Sequence, residues 1–499
     1  MDWFDAQDYE IARGVLQRGV AAIYLIAFLS SLNQFRVLCG ENGLLPAPEL
    51  IAGLDARRRR RATPGMRSVR AARETRFTLF RWGYTDARLL AVCWSGMALA
   101  ASVVLGLPQL GPAWAPLVVF LALWLLYMSI VNVGQTFYGF GWEMLLLEAG
   151  FTVAFLGSHE VPPPTFMIFL LAWLVFRLEF GAGMIKMRGD PAWRNLTALY
   201  YHHQTQPMPG PLSRQAHLAP KWWHRVEVFG NHVAQLIVPF LLFLPQPVAS
   251  AASLVVILTQ LWLVVTGNFA WLNWITIVLA FARISDPVIH WALPFIPADL
   301  GAPEHSPVWW MVLVSAVAAL LVVLSWWPLR NLLARRQLMN ASFNGWQLEN
   351  AYGAFGSVTR ERVEVIIEAT MDASPENADW SEYEFKGKPG DVRRIPRQWA
   401  PYHLRLDWLM WFLPLGSVHE QWLYALLAKL LEADAPTLRM LRSAPFGSVP
   451  PRYVRVRTYH YRFSTRAELR ESGQRWIRTR PRVVIPATQL RGERGSDWS

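Results

Sequence analysis

The apolar residues of the chain gather into long continuous runs over its first two thirds. A helix needs about 20 residues to cross the hydrocarbon of a membrane. Seven runs predict membrane spans, and they lie near residues 15–33, 88–106, 112–132, 164–185, 228–245, 249–266 and 308–328. Two shorter or charge-interrupted runs lie at 143–158 and 269–282. The pattern therefore predicts a polytopic α-helical membrane bundle of about seven to nine spans over residues 1–335.

The pattern changes after about residue 340. Apolar residues alternate with polar ones over 362–367 and again over 452–463, as they do in half-buried strands. Residues 419–432 have helical spacing instead. We therefore expect a soluble, β-rich C-terminal domain over residues 340–499, following the bundle.

Composition supports this membrane class. Of the 499 residues, 53% are hydrophobic and only 17% are charged, which is below the soluble average of about 25%. The net charge is +12, and the basic residues cluster between apolar runs, as in the polar loop that we expect at Arg57–Arg61. Membrane lipid is therefore the expected partner of these charges, and nucleic acid is not.

Small-motif chemistry is nearly absent from the sequence. The only cysteines, Cys39 and Cys93, leave a single bridge open but argue against a disulfide framework, a structural zinc site and a dithiol redox centre. The sequence contains no P-loop, HExxH, GxSxG or dinucleotide fingerprint. No cofactor and no metal site are predicted.

The run at 164–176 ends in charges, because Arg177, Glu179 and Lys186 follow it. A charge at membrane depth costs about 3 kcal/mol on insertion scales, so it needs a partner, water or a function. Gly181 and Gly183 let a neighbouring helix come close enough to supply partners. We expect an intramembrane polar cluster, with a structural or a ligand-binding role, made of Glu143, Glu148, Arg177, Glu179, Lys186, His224, Glu227, Asn231 and Gln235.

Two adjacent histidines stand in "LYYHHQTQPMPGP", in front of three prolines that make an extended loop. Neighbouring side chains on a helix point about 100° apart, so His202 and His203 are not expected to bind one metal ion together. They are either hydrogen-bonded loop residues or acid–base groups. No catalytic residue is predicted otherwise; in an enzyme, Lys186, His202 and His203 would be the acid–base groups.

Several long segments resemble the lipase maturation factor family. They are "LYMSIVNVGQTFYGFGWEMLLLEAGF", "GAGMIKMRGDPAWRNLTALYYHHQTQPMP", "HRVEVFGNHVAQLIVPFLLF", "NAYGAFGSVTRERVEVI", "YEFKGKPGD" and "APYHLRLDWLMWF". The resemblance implies a non-enzymatic, chaperone-like membrane protein that helps secreted lipases to fold and assemble. It implies that the C-terminal domain contacts the lipase client, and the candidate contacts are Tyr352, Phe355, Trp408 and Trp411.

The resemblance also bears on location. Animal members of the family reside in the membrane of the endoplasmic reticulum, whereas the few cysteines and the Arg- and Ala-rich composition favour a bacterial member in the cytoplasmic membrane. Gly387 stands where animal relatives tend to have cysteine, and the C-terminal domain contains no cysteine, so thiol exchange by that domain is excluded.

An alternative resemblance points to an enzyme. The segment "LCGENGLLPAP" and the membrane half are similar to the vitamin K-dependent carboxylase-like family. This implies an integral-membrane enzyme with a polar active site inside the bundle. In either case, nine crossings would place the 57–61 loop, the 186–225 loop and the C-terminal domain on one side. The positive-inside rule makes that side cytoplasmic, whereas the lipase maturation factor family implies the lumen.

Overall fold

The computed structural model describes residues 3–61, 77–295 and 305–490. Its first part is helical, with α1 Glu10–Cys39, α2 Ala47–Arg61, α3 Asp86–Val104, α4 Ala115–Val133, α5 Gly141–Val153, α6 Thr165–Arg188, α7 Pro191–Arg194, α8 Leu199–Thr205, α9 Ser213–His217, α10 Lys221–Leu236, α11 Val238–Leu241, α12 Val248–Thr266, α13 Leu272–Ala280, α14 Asp286–Ala292, α15 Val308–Leu324 and α16 Trp326–Leu333. The C-terminal region contains β1 Arg362–Thr370, β2 Ser381–Glu382, α17 Arg405–Phe412, α18 Gln421–Leu431, α19 Ala435–Met440, β3 Tyr453–Phe463, α20 Arg466–Ser472 and β4 Trp476–Thr488.

Six helical stretches in the described ranges are long and apolar enough to cross a membrane. They are Gln7–Cys39, Asp86–Val104, Ala115–Val133, Thr165–Arg188, Val248–Thr266 and Val308–Leu333. A seventh crossing results if Leu272–Arg283 and Asp286–Ala292, bent by 107° relative to each other, form one span. The predicted polytopic bundle is therefore confirmed, although only six or seven helical stretches of the described residues meet these criteria by themselves, against the seven to nine spans predicted.

The predicted span at 228–245 is not one continuous helix. Helix α10 ends at Leu236, and Val238–Leu241 forms a separate turn with Pro239 at its start. The polar residues of α10 lower its hydropathy, and a proline has no N–H to continue the ladder of the preceding helix. The run at 57–61 also differs from expectation, because the backbone of α2 is helical through Arg61 rather than a loop.

Three shorter segments run end to end through the bundle between the long helices. Glu143, in the first turn of α5, pairs with Arg405 of the C-terminal region. The helix leads to Gly157, whose carbonyl accepts a hydrogen bond from Gln17 near the start of α1. Most of α5 is buried, so it packs against protein rather than lipid and can be shorter than a lipid-facing span.

Helices α10–α11 and α13 cross in the same way. Lys186, near the end of α6, donates a hydrogen bond to Asn231 of α10. The segment then reaches Leu242, whose carbonyl accepts a hydrogen bond from Arg283 in the turn that follows α13. Helix α13 itself follows Trp271, whose indole donates to the carbonyl of Trp142 at the start of α5. Both segments therefore connect the end nearest the C-terminal region with the opposite end.

These crossings predict the sidedness of the chain. Cysteines introduced at Ala56 in α2 and at Glu471 in the C-terminal region, both exposed, should react with an impermeant maleimide in the same compartment. A cysteine at Leu107, in the turn between α3 and α4, should react in the opposite one. The native Cys39 and Cys93 are buried free thiols and give a low background.

A chain in which only the long helices cross the membrane would give a different labelling pattern. Five of the six long helices follow α2 in the chain, an odd number. If only these five crossed, Ala56→Cys and Glu471→Cys would label from opposite sides, and the crossings of the shorter segments would be refuted.

The C-terminal sheet has four antiparallel strands in the order β2-β1-β3-β4. In the register, Ile367 faces Val456 and Glu368 faces Arg455. The two predicted strands and the helix near 419–432 are confirmed. Strand β1 is more buried than its alternation predicts, because both faces are covered. Val365 and Ile367 join the main core, and Ile366 packs with Tyr461, Phe463 and Trp476.

The C-terminal region is not separated from the bundle. Leu404 and Trp408 belong to the same continuous hydrophobic core as Phe137 and Trp142 of the bundle. The predicted division into domains near residues 335–340 stays a prediction, and contacts across it are extensive. Arg362 of β1, for example, donates to the carbonyls of Gln204, Gln206 and Pro207.

Candidate functional site

A cavity of about 610 Å³ lies between α6, α8, α10, α12 and α13. Its apolar wall includes Phe229, Leu258 and Trp262, which are also partly exposed on the outside of the bundle. Its polar lining residues are Glu179, Lys186, His202, His203, Gln206, Glu227, Asn231, Gln235, Thr259, Gln260, Thr266, Asn273 and Thr276. The bundle therefore contains a cavity. Seven of the residues predicted from the sequence as cluster members or acid–base groups line it, namely Glu179, Lys186, His202, His203, Glu227, Asn231 and Gln235.

Glu179 and Lys186 face the cavity without a direct ion pair. The Glu179 carboxylate accepts hydrogen bonds from Gln235 at 3.1 Å and from Gln260 at 2.5 Å. The Lys186 ammonium donates to Asn231 at 2.9 Å and to Gln235 at 2.8 Å. The ammonium also lies 4.7 Å from the ring centre of Trp193. Gln235 thus links the two charges through amide groups, in line with the high cost of an unpartnered charge in the membrane.

Arg177 belongs to a second network, away from the cavity lining. Its guanidinium pairs with Glu148, one of the two carboxylates that the sequence offers, and lies 3.0 Å from Glu349. Glu148 also accepts from the Asn350 backbone at 2.9 Å and from the Tyr352 hydroxyl at 2.8 Å. Burial, and the nearby Glu148 carboxylate, raise the pKa of Glu349 although the Arg177 guanidinium opposes this shift.

Glu143 forms a third network with the C-terminal region. Its carboxylate lies 2.5 Å from the Arg405 guanidinium and also accepts a hydrogen bond from the Tyr127 hydroxyl. The guanidinium carbon of Arg405 is 3.5 Å from the ring centre of Tyr138. Burial, and next the Arg405 guanidinium, lower the pKa of His403 to about 4, so this histidine is neutral at pH 7.

The predicted single cluster is thus divided into separate networks. Sequence reasoning missed Arg405 and Glu349, which lie far along the chain from their partners and carry no local signal of pairing. It also missed Gln260 and Asn273. Gln260 interrupts the apolar run at 249–266, and this interruption is a signal that could have identified it.

His203 and Glu227 lie in one wall of the cavity, and His224 lies next to them outside the lining. One ligand-type atom from each lies within 4.8 Å of the other two. His202 points elsewhere, with its ring 5.0 Å from Phe355. Burial, and next the neighbouring His203 imidazole, lower the pKa of His202 to about 3. His202 is not part of this group, as expected for two adjacent histidines on a helix. His203 instead lies close to His224 and Glu227.

The four candidate client contacts differ in accessibility. Tyr352 and Trp408 are 2% and 3% exposed, and this burial is at odds with direct contact to a client. Phe355 and Trp411 are half-buried. Phe355 lines the cavity, and the Trp411 indole donates to the carbonyl of Thr205 at 2.8 Å. Client contact by these two residues stays a prediction.

The helices and their buried charges define a multi-pass membrane protein with a C-terminal sheet packed against its bundle. The lipase maturation factor transmembrane domain model matches residues 11–291, and the lipase maturation factor C-terminal domain model matches residues 348–486. The chain therefore belongs to the lipase maturation factor family. No solved structure matches it.

Curated relatives agree over nearly the whole chain. It is 37% identical to lipase maturation factor 1 of Bos taurus, over 98% of this chain and 91% of the relative. It is 37% identical to lipase maturation factor 1 of Homo sapiens, over 96% and 88%. It is 29% identical to human lipase maturation factor 2, over 96% and 83%. These matches lend no support to the carboxylase-like alternative.

Proposed function

We propose that this protein is a membrane-anchored maturation factor that assists the folding or assembly of a secreted lipase or lipase-like client. The observation that carries the proposal is the similarity to lipase maturation factor 1, which extends over both the bundle and the C-terminal region. The role proposed is that of a chaperone and not of a catalyst. The membrane proposed is the bacterial cytoplasmic membrane, or the endoplasmic reticulum if the chain is eukaryotic.

The coupling between bundle and sheet supports a platform function. Arg405 and Arg362 fix the C-terminal region at several points on the bundle. These contacts hold the exposed side chains of the C-terminal region in a fixed position relative to the bundle. The accessible part of the predicted client surface is Trp411, next to the exposed Phe412 and Leu415. Aromatic anchors of this kind carry much of the affinity in protein interfaces.

The decisive experiment is deletion of the gene, followed by measurement of secreted lipase activity and of lipase antigen. Loss of activity with unchanged lipase transcript, restored by the wild-type gene, is the expected result. Trp411→Ala should restore activity less well, whereas Val449→Ala, a change at an exposed residue elsewhere in the C-terminal region, should restore it fully. Unchanged lipase activity in the deletion strain would refute the proposed function.

A second candidate, an integral-membrane enzyme, is favoured by one observation. The cavity brings Lys186, His202 and His203 into a single lining, as an active site inside the bundle requires. Lys186→Met is the discriminating variant, because methionine keeps the length of the side chain without its ammonium. A folded Lys186→Met protein that restores lipase maturation fully would remove Lys186 from the acid–base groups of the enzyme candidate and leave only His202 and His203.

A further inference from the structure

Three buried polar atoms in and next to one wall of the cavity lack hydrogen-bond partners. They are Nε2 of His203, Nδ1 of His224 and Oε2 of Glu227. Both histidines are 2% exposed. His224 and Glu227 are three residues apart on α10 and so share a helix face, whereas His203 comes from α8. Buried polar groups without hydrogen-bond partners destabilise a protein, so something is expected to bind them.

The hydrogen bond of His224 fixes which ring nitrogen is free. Its Nε2 lies 3.2 Å from the backbone carbonyl of His217. A carbonyl can only accept, so Nε2 carries the hydrogen and Nδ1 of the neutral ring has a lone pair. That lone pair faces Oε2 of Glu227 across 3.9 Å. Two acceptors that face each other in this way are satisfied by a cation or a hydrogen-bond donor bound between them.

The distances suit a metal ion. His203 Nε2 lies 3.6 Å from Glu227 Oε1, and all three ligand atoms lie within 4.8 Å of one another. Ligand atoms held about 2.1 Å from a tetrahedral ion lie about 3.4 Å apart. The two contacts to Glu227 therefore need shifts of a few tenths of an ångström, and the longest separation among the three atoms needs to shorten by at most about 1.4 Å. Among the described residues, no lysine or arginine lies within ion-pair distance of the Glu227 carboxylate to compete with a metal.

We propose that His203, His224 and Glu227 bind one first-row divalent transition-metal ion. Two imidazoles and one carboxylate are a donor set that suits Zn²⁺ and Fe²⁺. The carbonyl of His217 orients His224, and the Trp262 indole, 2.5 Å from Oε1, orients Glu227; such outer contacts are usual at metal sites.

The site is open on one side. His203 and Glu227 both line the cavity, whereas His224 lies behind them. Three protein ligands leave at least one position of a four-coordinate ion free. That position faces the cavity, so an oxygen atom of a molecule bound there can reach the metal. The inference does not depend on the proposed client, because it concerns only the composition of the protein.

The test uses the full-length protein in detergent, purified without a histidine tag and stripped with a chelator. Co²⁺ or Zn²⁺ is then added, the excess is removed by desalting, and the bound metal is measured by mass spectrometry. We expect about one ion per chain, and a visible Co²⁺ absorption typical of a low-coordinate N/O site. Glu227→Gln and His224→Ala should lower the bound metal at least about tenfold.

Matched controls separate the site from adventitious binding. His232 lies on the same helix, but its ring binds the Trp193 carbonyl, so His232→Ala should retain the metal and its absorption. Glu227→Gln keeps an oxygen that can accept from Trp262, which favours a folded protein; circular dichroism and size-exclusion chromatography check this. Wild-type protein without bound metal would refute the proposal. Equal metal in wild type and in Glu227→Gln would also refute it.

Discussion

Replacement of Arg405 by alanine is expected to lower the free energy of unfolding by about 3–5 kcal/mol, because it leaves the carboxylate of Glu143 buried without its cation. Glu143 and Arg405 are both fully buried, 2.5 Å apart. The guanidinium also donates to the carbonyl of Phe137 at 2.9 Å and stacks over the ring of Tyr138. Its removal therefore breaks an ion pair, a hydrogen bond and a ring contact together.

The measurement is thermal unfolding of the purified protein in detergent, combined with the yield of monodisperse protein. Arg405→Lys keeps the positive charge but not the planar guanidinium with its two parallel donors. We therefore expect its stability to lie between that of the wild type and that of Arg405→Ala. Arg478→Ala is the matched control. Arg478 lies 2.6 Å from Glu382, but both side chains are a quarter to a third exposed, and such surface pairs contribute only about 0–1 kcal/mol. Equal stability of Arg405→Ala and Arg478→Ala would contradict the importance of the buried pair.

Replacement of Arg177 by methionine should be of similar severity, with about 3–5 kcal/mol lost, because two carboxylates then remain buried without a cation. Arg177 pairs with Glu148 of α5 and lies 3.0 Å from Glu349, which follows the last long helix. It also donates to the Asn350 carbonyl at 2.8 Å. The single change thus affects two helices of the bundle and the segment that leads into the C-terminal region.

Charge removal on both sides provides the internal control. The triple variant Arg177→Met, Glu148→Gln, Glu349→Gln contains no buried charge at this site, and neutral replacements of buried ion pairs are often close to neutral in stability. We therefore expect the triple variant to unfold at a higher temperature than Arg177→Met alone. A triple variant less stable than the single one would show that hydrogen bonds to Glu148, such as those from Asn350 and Tyr352, outweigh the charge.

The sequence predicts those parts of the fold that depend on local composition. Apolar runs long enough to cross a membrane identify most of the long helices, because hydrocarbon demands an uninterrupted apolar surface. The rule fails at 228–245, where polar residues face the cavity, and a long lipid-facing helix is not required. It also misses the helical arginines at 57–61, since a run of like charges has no apolar periodicity.

The pairing of charges was predictable only in part. The cost of burial requires a partner for Arg177, and Glu148 was one of two carboxylates available nearby in the sequence. Nothing in the sequence pairs Glu143 with Arg405, which lies 262 residues away. The same limit applies to His203, which lies near His224 and Glu227 only because the α8 and α10 helices pack together.

The distant position of Arg405 has a consequence for biosynthesis. Helix α5 is synthesised and inserted long before Arg405 leaves the ribosome, so Glu143 must wait, either protonated or in contact with water, until its partner arrives. The bundle therefore reaches its final packing only after translation has passed residue 405, well into the C-terminal region. A chain interrupted before residue 405 keeps the Glu143 carboxyl group among its helices without its arginine partner. Packing of the membrane part thus depends on a residue in the last fifth of the chain.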